Sequence, residues 1–256
     1  MTVEKSNALQ LAERAQEVLQ NIVRQTPLEH NQLLSTALGA PVFLKREDLQ
    51  PVRSYKIRGA YSKIASLSDE EKQRGIVCAS AGNHAQGVAY SCNALKIKGK
   101  IYMPVTTPLQ KIKQVELFGS GFVEIVLNGD TFDDANAAAV ADANIEGKAF
   151  IHPFDDELVI AGQATIGLEI LRDSQKPVDY LFVPVGGGGL LAGLVTVFSQ
   201  ISPHTKIVAV EPAGAASLTA ALEQGQVVNL PKIDKFVDGA SVREVGRKNF
   251  EIVRDH

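Results

Sequence analysis

Three stretches of the sequence combine residue types that could carry out chemistry together. Lys56 lies among aromatic, aliphatic and small residues in RSYKIRGAY, residues 53–61. Residues 80–87 read SAGNHAQG, and four consecutive glycines occupy positions 186–189. The hydrophobic pattern places all three at the end of a strand or the start of a helix, which is where open α/β folds bind ligands.

Lys56 is the candidate nucleophile, predicted in the first turn of a helix with Ser54 as its N-cap. The positive end of the helix dipole disfavours an ammonium group there, and burial disfavours it as well. Both effects would lower the pKa of Lys56 and provide the neutral amine that Schiff-base chemistry needs. The alternative is a structural lysine whose stem is buried and whose ammonium group reaches solvent.

The SAGNHAQG stretch is suited to binding a carboxylate or a phosphate. Small residues let a ligand approach the backbone, and the following helix start offers N–H groups to an anion. Asn83 adds a donor and an acceptor. A tight turn between a strand and a helix would require the same small residues, so a purely structural interpretation stays open.

The glycines at positions 186–189 are the strongest single signal, because each costs roughly 1 kcal/mol of backbone entropy relative to alanine. A cradle of backbone N–H groups around a phosphate explains them. A rival interpretation is a dinucleotide fingerprint, which Gly187, Gly189 and Ala192 fit in its G/A form. Glu211 follows where a ribose-binding acid belongs. However, that fingerprint usually opens the first strand–helix unit of a domain. It also does not account for Lys56 or for the turn around Asn83 in the SAGNHAQG stretch, here called the asparagine turn.

The elements that must position these groups alternate between strand and helix. This alternation of apolar strands and amphipathic helices indicates parallel sheets covered on both faces, an α/β fold. The predicted strands are 41–47, 75–80, 99–105, 121–127, 149–154, 178–185 and 206–211. The predicted helices are 8–23, 57–64, 84–97, 109–118, 131–145, 155–173, 186–201 and 214–225.

Composition narrows the class of protein. The chain has 256 residues, of which 45% are hydrophobic and 21% charged, as in ordinary globular proteins. A net charge of -3 gives no reason to expect nucleic acid or a membrane as a partner. Cys78 and Cys92 form no CxxC, which excludes a disulfide scaffold and a thiolate zinc site. The two thiols suit the reducing cytoplasm, which is the predicted location.

One chemistry uses a nucleophilic lysine, a phosphate cradle and a carboxylate-binding turn together: pyridoxal phosphate catalysis on an amino acid. The chain resembles the threonine/serine dehydratase and serine racemase group of fold type II pyridoxal-phosphate enzymes. SYKIRGA, SAGNHAQG, HPFDDELVIAGQATIGLEIL, VPVGGGGLLAG and VEP match in this order over nearly the whole chain. REDLQPVRSYKIRGAY, CASAGNHAQGVA and KIDKFVDGASV are most similar to the biosynthetic threonine dehydratases, or threonine ammonia-lyases.

The resemblance implies a two-lobed fold of the tryptophan synthase β type, with parallel-type sheets covered by helices. Residues 1–73 and 154–256 would form two parts of a large lobe, and residues 74–153 a small lobe. We expect the C-terminal part of the large lobe and any regulatory domain to be missing. If the chain is a fragment of a longer enzyme, we expect it to be weakly active or inactive alone, and to form homo-oligomers.

The resemblance also implies the site residues, among them Lys56 as the Schiff-base lysine and catalytic base. Tyr55 would lie against the cofactor, and Asn83 would bond the 3-hydroxyl of its ring. The implied cofactor-binding residues are Tyr55, Lys56, Asn83, Gly186, Gly187, Gly188 and Gly189. The implied substrate-binding residues are Ser80, Ala81, Gly82, Asn83, His84 and Gly239.

This chain departs from the family pattern at some positions. Glu211 and the Ala215 carbonyl lie where some relatives hold a cation, but serine racemases use a second carboxylate at the position of Ser217. No metal site is therefore predicted. Serine racemases also place a serine at the position of Ala81, where it donates a proton. The residue that faces the pyridine nitrogen in relatives lies further along than this chain extends.

The expected reaction is β-elimination on a small amino acid. L-threonine would lose its α-proton to Lys56 and then its β-hydroxyl, with the cofactor phosphate as the proton donor. The products would be 2-oxobutanoate and ammonia, as in isoleucine biosynthesis. The alternatives are a serine-preferring dehydratase or racemase, a nicotinamide-dependent oxidoreductase, and an inactive ligand-binding fragment.

Overall fold

The strands form three sheets within residues 6–256, the part of the chain that the computed structural model describes. An antiparallel pair consists of β1 (Leu28–His30) and β2 (Phe43–Lys45). The four-stranded parallel sheet contains, in spatial order, β5 (Val123–Leu127), β4 (Gly99–Met103), β3 (Ile76–Ala79) and β6 (Ala149–Phe150). A parallel pair consists of β7 (Tyr180–Pro184) and β8 (Lys206–Val210). Residues 1–5 of the predicted segment 1–73 lie outside the described residues.

Helices follow most of the strands. Their bounds are α1 (Asn7–Val18), α2 (Gln32–Leu38), α3 (Lys56–Ala65), α4 (Asp69–Arg74), α5 (Asn83–Leu95), α6 (Leu109–Gly119), α7 (Phe132–Glu146), α8 (Glu157–Asp173), α9 (Gly189–Ile201), α10 (Ser217–Gln224) and α11 (Arg247–Val253). Short 3₁₀ helices cover Glu47–Leu49 and Ala213–Ala215. None of the helices within residues 6–256 combines the length and the apolar character that a membrane-spanning helix needs.

The four-stranded sheet is covered by helices on both faces, as its apolar strands predict. Ile76 and Cys78 of β3 belong to one apolar cluster, which includes side chains of α5 and α6. Val77 and Ala79, the alternating residues, belong to another cluster with alanines of α7. Successive side chains of a strand point to opposite faces, so β3 is buried on both sides. The prediction of a parallel sheet covered by helices is confirmed, whereas the pair β1–β2 is antiparallel.

The helix α8 lies between α3 and α9, and glycines set the spacing of these helices. A Cβ atom at Gly162 of α8 would lie only 2.6 Å from the carbonyl oxygen of Arg58 on α3. A Cβ atom at Gly193 of α9 would lie 2.7 Å from the backbone nitrogen of Ala164. The helix backbones are therefore in direct contact, and any larger residue would separate them.

A buried ion network ties the start of α3 to α8 and to the segment after β2. The Arg58 guanidinium donates from Nε and Nη2 to the Glu47 carboxylate, each at 2.8 Å, and from Nη1 to Glu169 at 2.7 Å. Lys45 Nζ lies 2.6 Å from the same Glu169 carboxylate. Burial alone would lower the pKa of Arg58, but the two carboxylates raise it above its ordinary value. The charges are thus paired, which is the condition for burying them.

Some element boundaries differ from the sequence pattern. The apolar stripe predicts a first helix that reaches Val23, whereas α1 ends at Val18. Asn21 has a φ of 64°, a left-handed conformation that ends a right-handed helix. Of the apolar residues that the sequence pattern places on one side of this helix, Ala12 and Ala15 are buried in α1 and Val18 is exposed, and Leu9, which is not among them, is buried as well.

The predicted N-cap of α3 is wrong. Tyr55, not Ser54, is the N-cap residue, and it makes no capping bond with its side chain. Ser54 is buried, and its Oγ has no partner among the described residues. Packing of α3 against its neighbours thus overrides the capping preference of serine.

We expect the change Arg58→Ala to lower the free energy of unfolding by about 3–5 kcal/mol, because two buried carboxylates would lose their shared cation. Urea denaturation followed by circular dichroism measures this loss. The control is Arg46→Ala, which removes an arginine whose ion pairs with Glu29 and Asp48 are exposed to solvent. That control should leave the midpoint almost unchanged. Equal effects of the two changes would contradict a special role for the buried network.

Candidate active site

Lys56 is the first residue of α3, and its amine is partly buried between two aromatic rings. The Nζ atom donates a hydrogen bond of 2.7 Å to the carbonyl oxygen of Pro153. It lies 5.7 Å from the centre of the Tyr55 ring and 6.0 Å from that of Phe154. No carboxylate of the described residues pairs with it. Removal from water therefore lowers the pKa of Lys56 to about 8, the shift that the sequence predicts.

The close approach of α5 to α3 contributes to this burial. A Cβ atom at Gly87 of α5 would lie 3.1 Å from the carbonyl oxygen of Lys56 and 3.1 Å from the nitrogen of Ile57. The last residue of the SAGNHAQG stretch must therefore be small. Burial also raises the pKa of the neighbouring Tyr55 to about 12, so that this phenol stays neutral.

The segment from His152 to Asp156 connects β6 to α8 and contacts both sides of the site. Pro153 accepts the Lys56 hydrogen bond, and a Cβ atom at Gly187 would lie 2.3 Å from the Phe154 ring. The ring therefore lies against the turn that the four glycines at positions 186–189 form, here called the glycine turn. It excludes any side chain at position 187. Sequence reasoning did not assign Pro153 or Phe154 to the site, although both lie in the quoted HPFDD stretch.

This connecting segment is fixed by its own hydrogen bonds. His152 Nδ1 accepts from the backbone nitrogen of Asp155 at 2.8 Å, so this ring nitrogen carries no proton. The Asp156 carboxylate accepts from the nitrogen of Leu158 at 2.9 Å and caps α8. It also pairs with Lys63 of α3 at 2.8 Å. The segment whose Pro153 carbonyl accepts the hydrogen bond from Lys56 is thus attached to both α3 and α8.

The four glycines form a buried turn that leads into α9. Gly188 is the N-cap residue, with a φ of 87° that strongly favours glycine. Within the described residues, no protein group accepts a hydrogen bond from the backbone nitrogens of Gly186, Gly187 or Gly188. The first N–H groups of α9 also lack intrahelical partners because of their position. The turn therefore presents several unpaired N–H donors at a helix start, an arrangement that suits a phosphate.

The asparagine turn links β3 to α5. Ser80 Oγ accepts from the nitrogen of Gly82 at 3.2 Å, and Asn83 is the exposed first residue of α5. His84 is buried, and its Nε2 bonds the carbonyl oxygen of Ile151 at 2.9 Å. Burial first, and then the charge of Lys56, lowers the pKa of His84 to about 3. His84 is therefore neutral and donates from Nε2, which suits an orienting role better than that of a base.

A loop from the C-terminal part reaches both turns. The carbonyl oxygen of Gly239 would lie 3.3 Å from a Cβ atom at Gly186, and Asp238 Oδ2 would lie 3.9 Å from one at Gly82. Asp238 pairs with Lys111 of α6 at 2.7 Å. Arg243 of the same loop lies 3.5 Å from Asp133 of α7. The structure thus brings the glycine turn, the asparagine turn and Gly239 around one region next to Lys56.

The Glu211 carboxylate is hydrogen-bonded to the start of a helix. Its two carboxylate oxygens accept from the nitrogens of Leu218 at 2.8 Å and Thr219 at 2.9 Å, which caps α10. The carboxylate is also bonded by the Thr219 hydroxyl at 2.7 Å. These bonds explain an acid at the end of β8 without a ribose. Among the described residues, no group of three His, Cys, Asp or Glu side chains could hold a metal ion.

Comparison with protein families and curated proteins gives consistent matches. A family described as pyridoxal-phosphate dependent enzymes matches residues 19–256. The biosynthetic L-threonine dehydratase of Halalkalibacterium halodurans is 54% identical over 238 residues, which cover 93% of this chain and 57% of that protein. That of Bacillus subtilis is 54% identical over 237 residues, covering 93% and 56%. This chain therefore spans little more than half the length of these relatives.

Solved structures agree with these matches. Threonine deaminase isoform 2 from Solanum lycopersicum, in its processed form, is 43% identical with a TM-score of 0.93, over 99% of this chain and 73% of that one. A threonine deaminase from T.th. is 38% identical with a TM-score of 0.90, over 96% and 79%. Maize serine racemase is 29% identical with a TM-score of 0.91, over 96% and 73%.

The lowered pKa of Lys56 predicts unusual reactivity of its amine. In protein free of cofactor, the rate of acylation at Lys56 should rise with a midpoint at about pH 8, because only the neutral amine is nucleophilic. Brief labelling at a series of pH values, followed by mass spectrometry of the peptide, measures this midpoint. Lys56→Arg should remove the signal. A midpoint at the ordinary lysine value of 10.5 would show that the amine is fully hydrated.

Proposed function

The chain belongs to the family of pyridoxal-phosphate dependent enzymes, and we propose that it deaminates L-threonine by β-elimination, releasing 2-oxobutanoate and ammonia. It would act as a threonine ammonia-lyase in isoleucine biosynthesis. The observation that carries this proposal is a Lys56 amine with a pKa of about 8 that lies near the Phe154 ring, which itself contacts a turn of unpaired N–H donors. The curated relatives at 54% identity, both named biosynthetic L-threonine dehydratase, support the choice of substrate.

The residues fit pyridoxal phosphate. The glycine turn offers backbone N–H groups and no Cβ atoms, so that a phosphate could approach closely. The Lys56 amine lies near the same Phe154 ring that contacts this turn. A cofactor with a phosphate at one end and a carbon that reacts with an amine at the other would therefore find both partners in one place. The proposed cofactor-binding set is Tyr55, Lys56, Asn83, Gly186, Gly187, Gly188 and Gly189.

Lys56 is proposed to move the proton that the reaction removes. With a pKa of about 8, the amine can accept a proton from the substrate α-carbon and release it again near neutral pH. The Pro153 carbonyl, at 2.7 Å, fixes the direction of the amine. Bound pyridoxal phosphate supplies an electron sink for the charge that develops at the α-carbon.

The asparagine turn is proposed to hold the substrate carboxylate. Its backbone N–H groups lie at the start of α5, where the helix dipole favours an anion. His84 stabilises the turn through its hydrogen bond to the carbonyl of Ile151. The proposed substrate-binding set is Ser80, Ala81, Gly82, Asn83, His84 and Gly239.

The nicotinamide-dependent alternative is disfavoured by two contacts. The Glu211 carboxylate is occupied by the start of α10, so its oxygens are not free for a ribose. The Phe154 ring lies directly on Gly187, within the stretch that a dinucleotide fingerprint would use. Neither contact conflicts with a single phosphate bound by the glycine turn.

Location and assembly are part of the proposal. Cys78 and Cys92 are both free and buried, which suits a reducing compartment, and we propose that the protein is cytoplasmic. Tyr180 and Phe182 of β7 are 54% and 65% exposed, and their rings stack 6.3 Å apart. Exposed apolar groups of this kind favour association, and they support the proposal of a homo-oligomer.

Purified protein should bind pyridoxal phosphate. Its turnover of L-threonine, which we expect to be weak if the chain is a fragment of a longer enzyme, should release 2-oxobutanoate and ammonia. Borohydride should attach the cofactor covalently to the peptide that contains Lys56. Lys56→Ala should lower turnover by about 100- to 10,000-fold, the range for loss of a general base, whereas the exposed Lys113→Ala on α6 should not change it. Turnover is measured as keto acid released. Attachment at another lysine, or tight binding of NAD, would refute the assignment.

The reaction with L-serine tests elimination against racemisation. Racemisation needs a second proton donor on the side of the substrate opposite the lysine, and the Ala81 methyl group has no proton to give. We therefore expect keto acid and ammonia from L-serine, with little D-serine, measured by chiral chromatography. Lys113→Ala serves as the control again, with an unchanged product ratio. Substantial D-serine from the unmodified chain would contradict the proposed role of this position.

A further inference from the structure

Asn249 is a fully buried residue of α11 that contacts both segments flanking the Lys56 amine. Its Nδ2 donates a hydrogen bond of 2.6 Å to the carbonyl oxygen of Gly187 and one of 3.2 Å to that of Phe154. One side-chain amide therefore bonds the glycine turn and the connecting segment together. Sequence reasoning gave no signal for Asn249, because a single asparagine in a short helix has no distinctive pattern.

The contact with Gly187 determines the direction of the next N–H group. In a trans peptide the C=O of one residue and the N–H of the following residue point in opposite directions. The Gly187 carbonyl is held on the side of α11 by Asn249 and by the backbone nitrogen of Gly246 at 3.0 Å. The N–H of Gly188 must therefore point away from α11. That N–H has no protein acceptor among the described residues.

Stability alone does not explain an asparagine at this position. Its Oδ1 is buried and has no hydrogen-bond partner within residues 6–256, which costs free energy. Val245 and Phe250 nearby belong to an apolar cluster with side chains of α8 and α9, here called the main apolar cluster, so an aliphatic side chain would suit these surroundings better. The two carbonyls that the amide bonds are the feature that an aliphatic residue could not satisfy.

We propose that Asn249 is a positioning residue, which orients the glycine turn so that its N–H groups bind the phosphate of the cofactor. This inference rests on the proposed function, because it takes pyridoxal phosphate as the ligand of the turn. Asn249 would not touch the phosphate itself. It acts through the Gly187 carbonyl, and through the Phe154 carbonyl it keeps the ring-bearing segment in register with the turn.

The attachment of α11 does not depend on Asn249 alone. The Asp155 carboxylate accepts from the nitrogens of Arg247 at 3.2 Å and Lys248 at 2.9 Å, which caps the helix. Phe250 is buried in the main apolar cluster and anchors the same helix. A substitution at Asn249 should therefore leave α11 in place and change the glycine turn locally.

The experiment compares three variants of the full chain after removal of cofactor. Asn249→Leu fills the site without a donor, Asn249→Asp keeps the shape without a donor, and Glu251→Gln changes an exposed residue of the same helix. Fluorescence titration gives the affinities for pyridoxal phosphate, for pyridoxal without the phosphate, and for inorganic phosphate. Urea denaturation of each variant establishes that it is folded.

We expect both Asn249 variants to bind pyridoxal phosphate and inorganic phosphate about 10- to 100-fold more weakly, as for loss of a buried hydrogen-bond partner. The affinity of both variants for pyridoxal should stay within about twofold of that of the unmodified chain. A difference of about twofold is close to the experimental error of such a titration. Glu251→Gln should match the unmodified chain in all three titrations. If the leucine variant fails to fold, the aspartate variant carries the test.

Two results would overturn the inference. Unchanged affinity for pyridoxal phosphate in a folded Asn249 variant would remove the link to the phosphate, and an equal loss for pyridoxal would show a merely structural role. Turnover of L-threonine is measured separately. Attachment of the cofactor by borohydride at a lysine other than Lys56, together with the phosphate-specific loss, would refute the proposed function and leave the role of Asn249 standing. Normal turnover of L-threonine without the phosphate-specific loss would refute the role of Asn249 and leave the proposed function standing.

Discussion

Lys56 and Arg58 lie two residues apart on α3, but only Arg58 is paired with carboxylates. The candidate site depends on this difference. Arg58 is buried with two carboxylates, which keep it charged and join α3 to α8. Lys56 receives only a peptide carbonyl, so that burial lowers its pKa to about 8. A carboxylate beside Lys56 would stabilise the ammonium form and raise the pKa of its amine. The ion network thus fixes the helix whose first residue must remain without a counter-charge.

Three glycines allow neighbouring segments to approach the backbone closely. Gly87 lets α5 approach Lys56, Gly162 lets α8 approach Arg58, and Gly187 lets the Phe154 ring lie on the turn. Each contact brings a segment from a different part of the chain within reach of the amine. Since packed interiors have few voids, a side chain at any of these positions would displace the segment that it meets. The position of the Lys56 amine therefore depends on the absence of side chains at these three glycines.

The sequence predicted much of this arrangement, and the exceptions have physical causes. Long strands and helices with regular apolar spacing were found because periodicity reports burial directly. The elements β1, α2, α4 and α11 have only three to seven residues, too few for a periodic signal. Lys56 and the glycines have unusual local composition, whereas Pro153 acts through its backbone and Asn249 through one amide. The lobe boundaries and the roles of the site residues stay predictions.

The loop that carries Asp238 and Arg243 is joined to α6 and α7 by exposed ion pairs. The Debye length at physiological ionic strength is about 8 Å, so water and salt weaken pairs of this kind. High ionic strength should therefore weaken the contacts of this loop with α6 and α7. Salt acts on the side of the loop that faces α6 and α7, whereas close packing against Gly186 holds its other side.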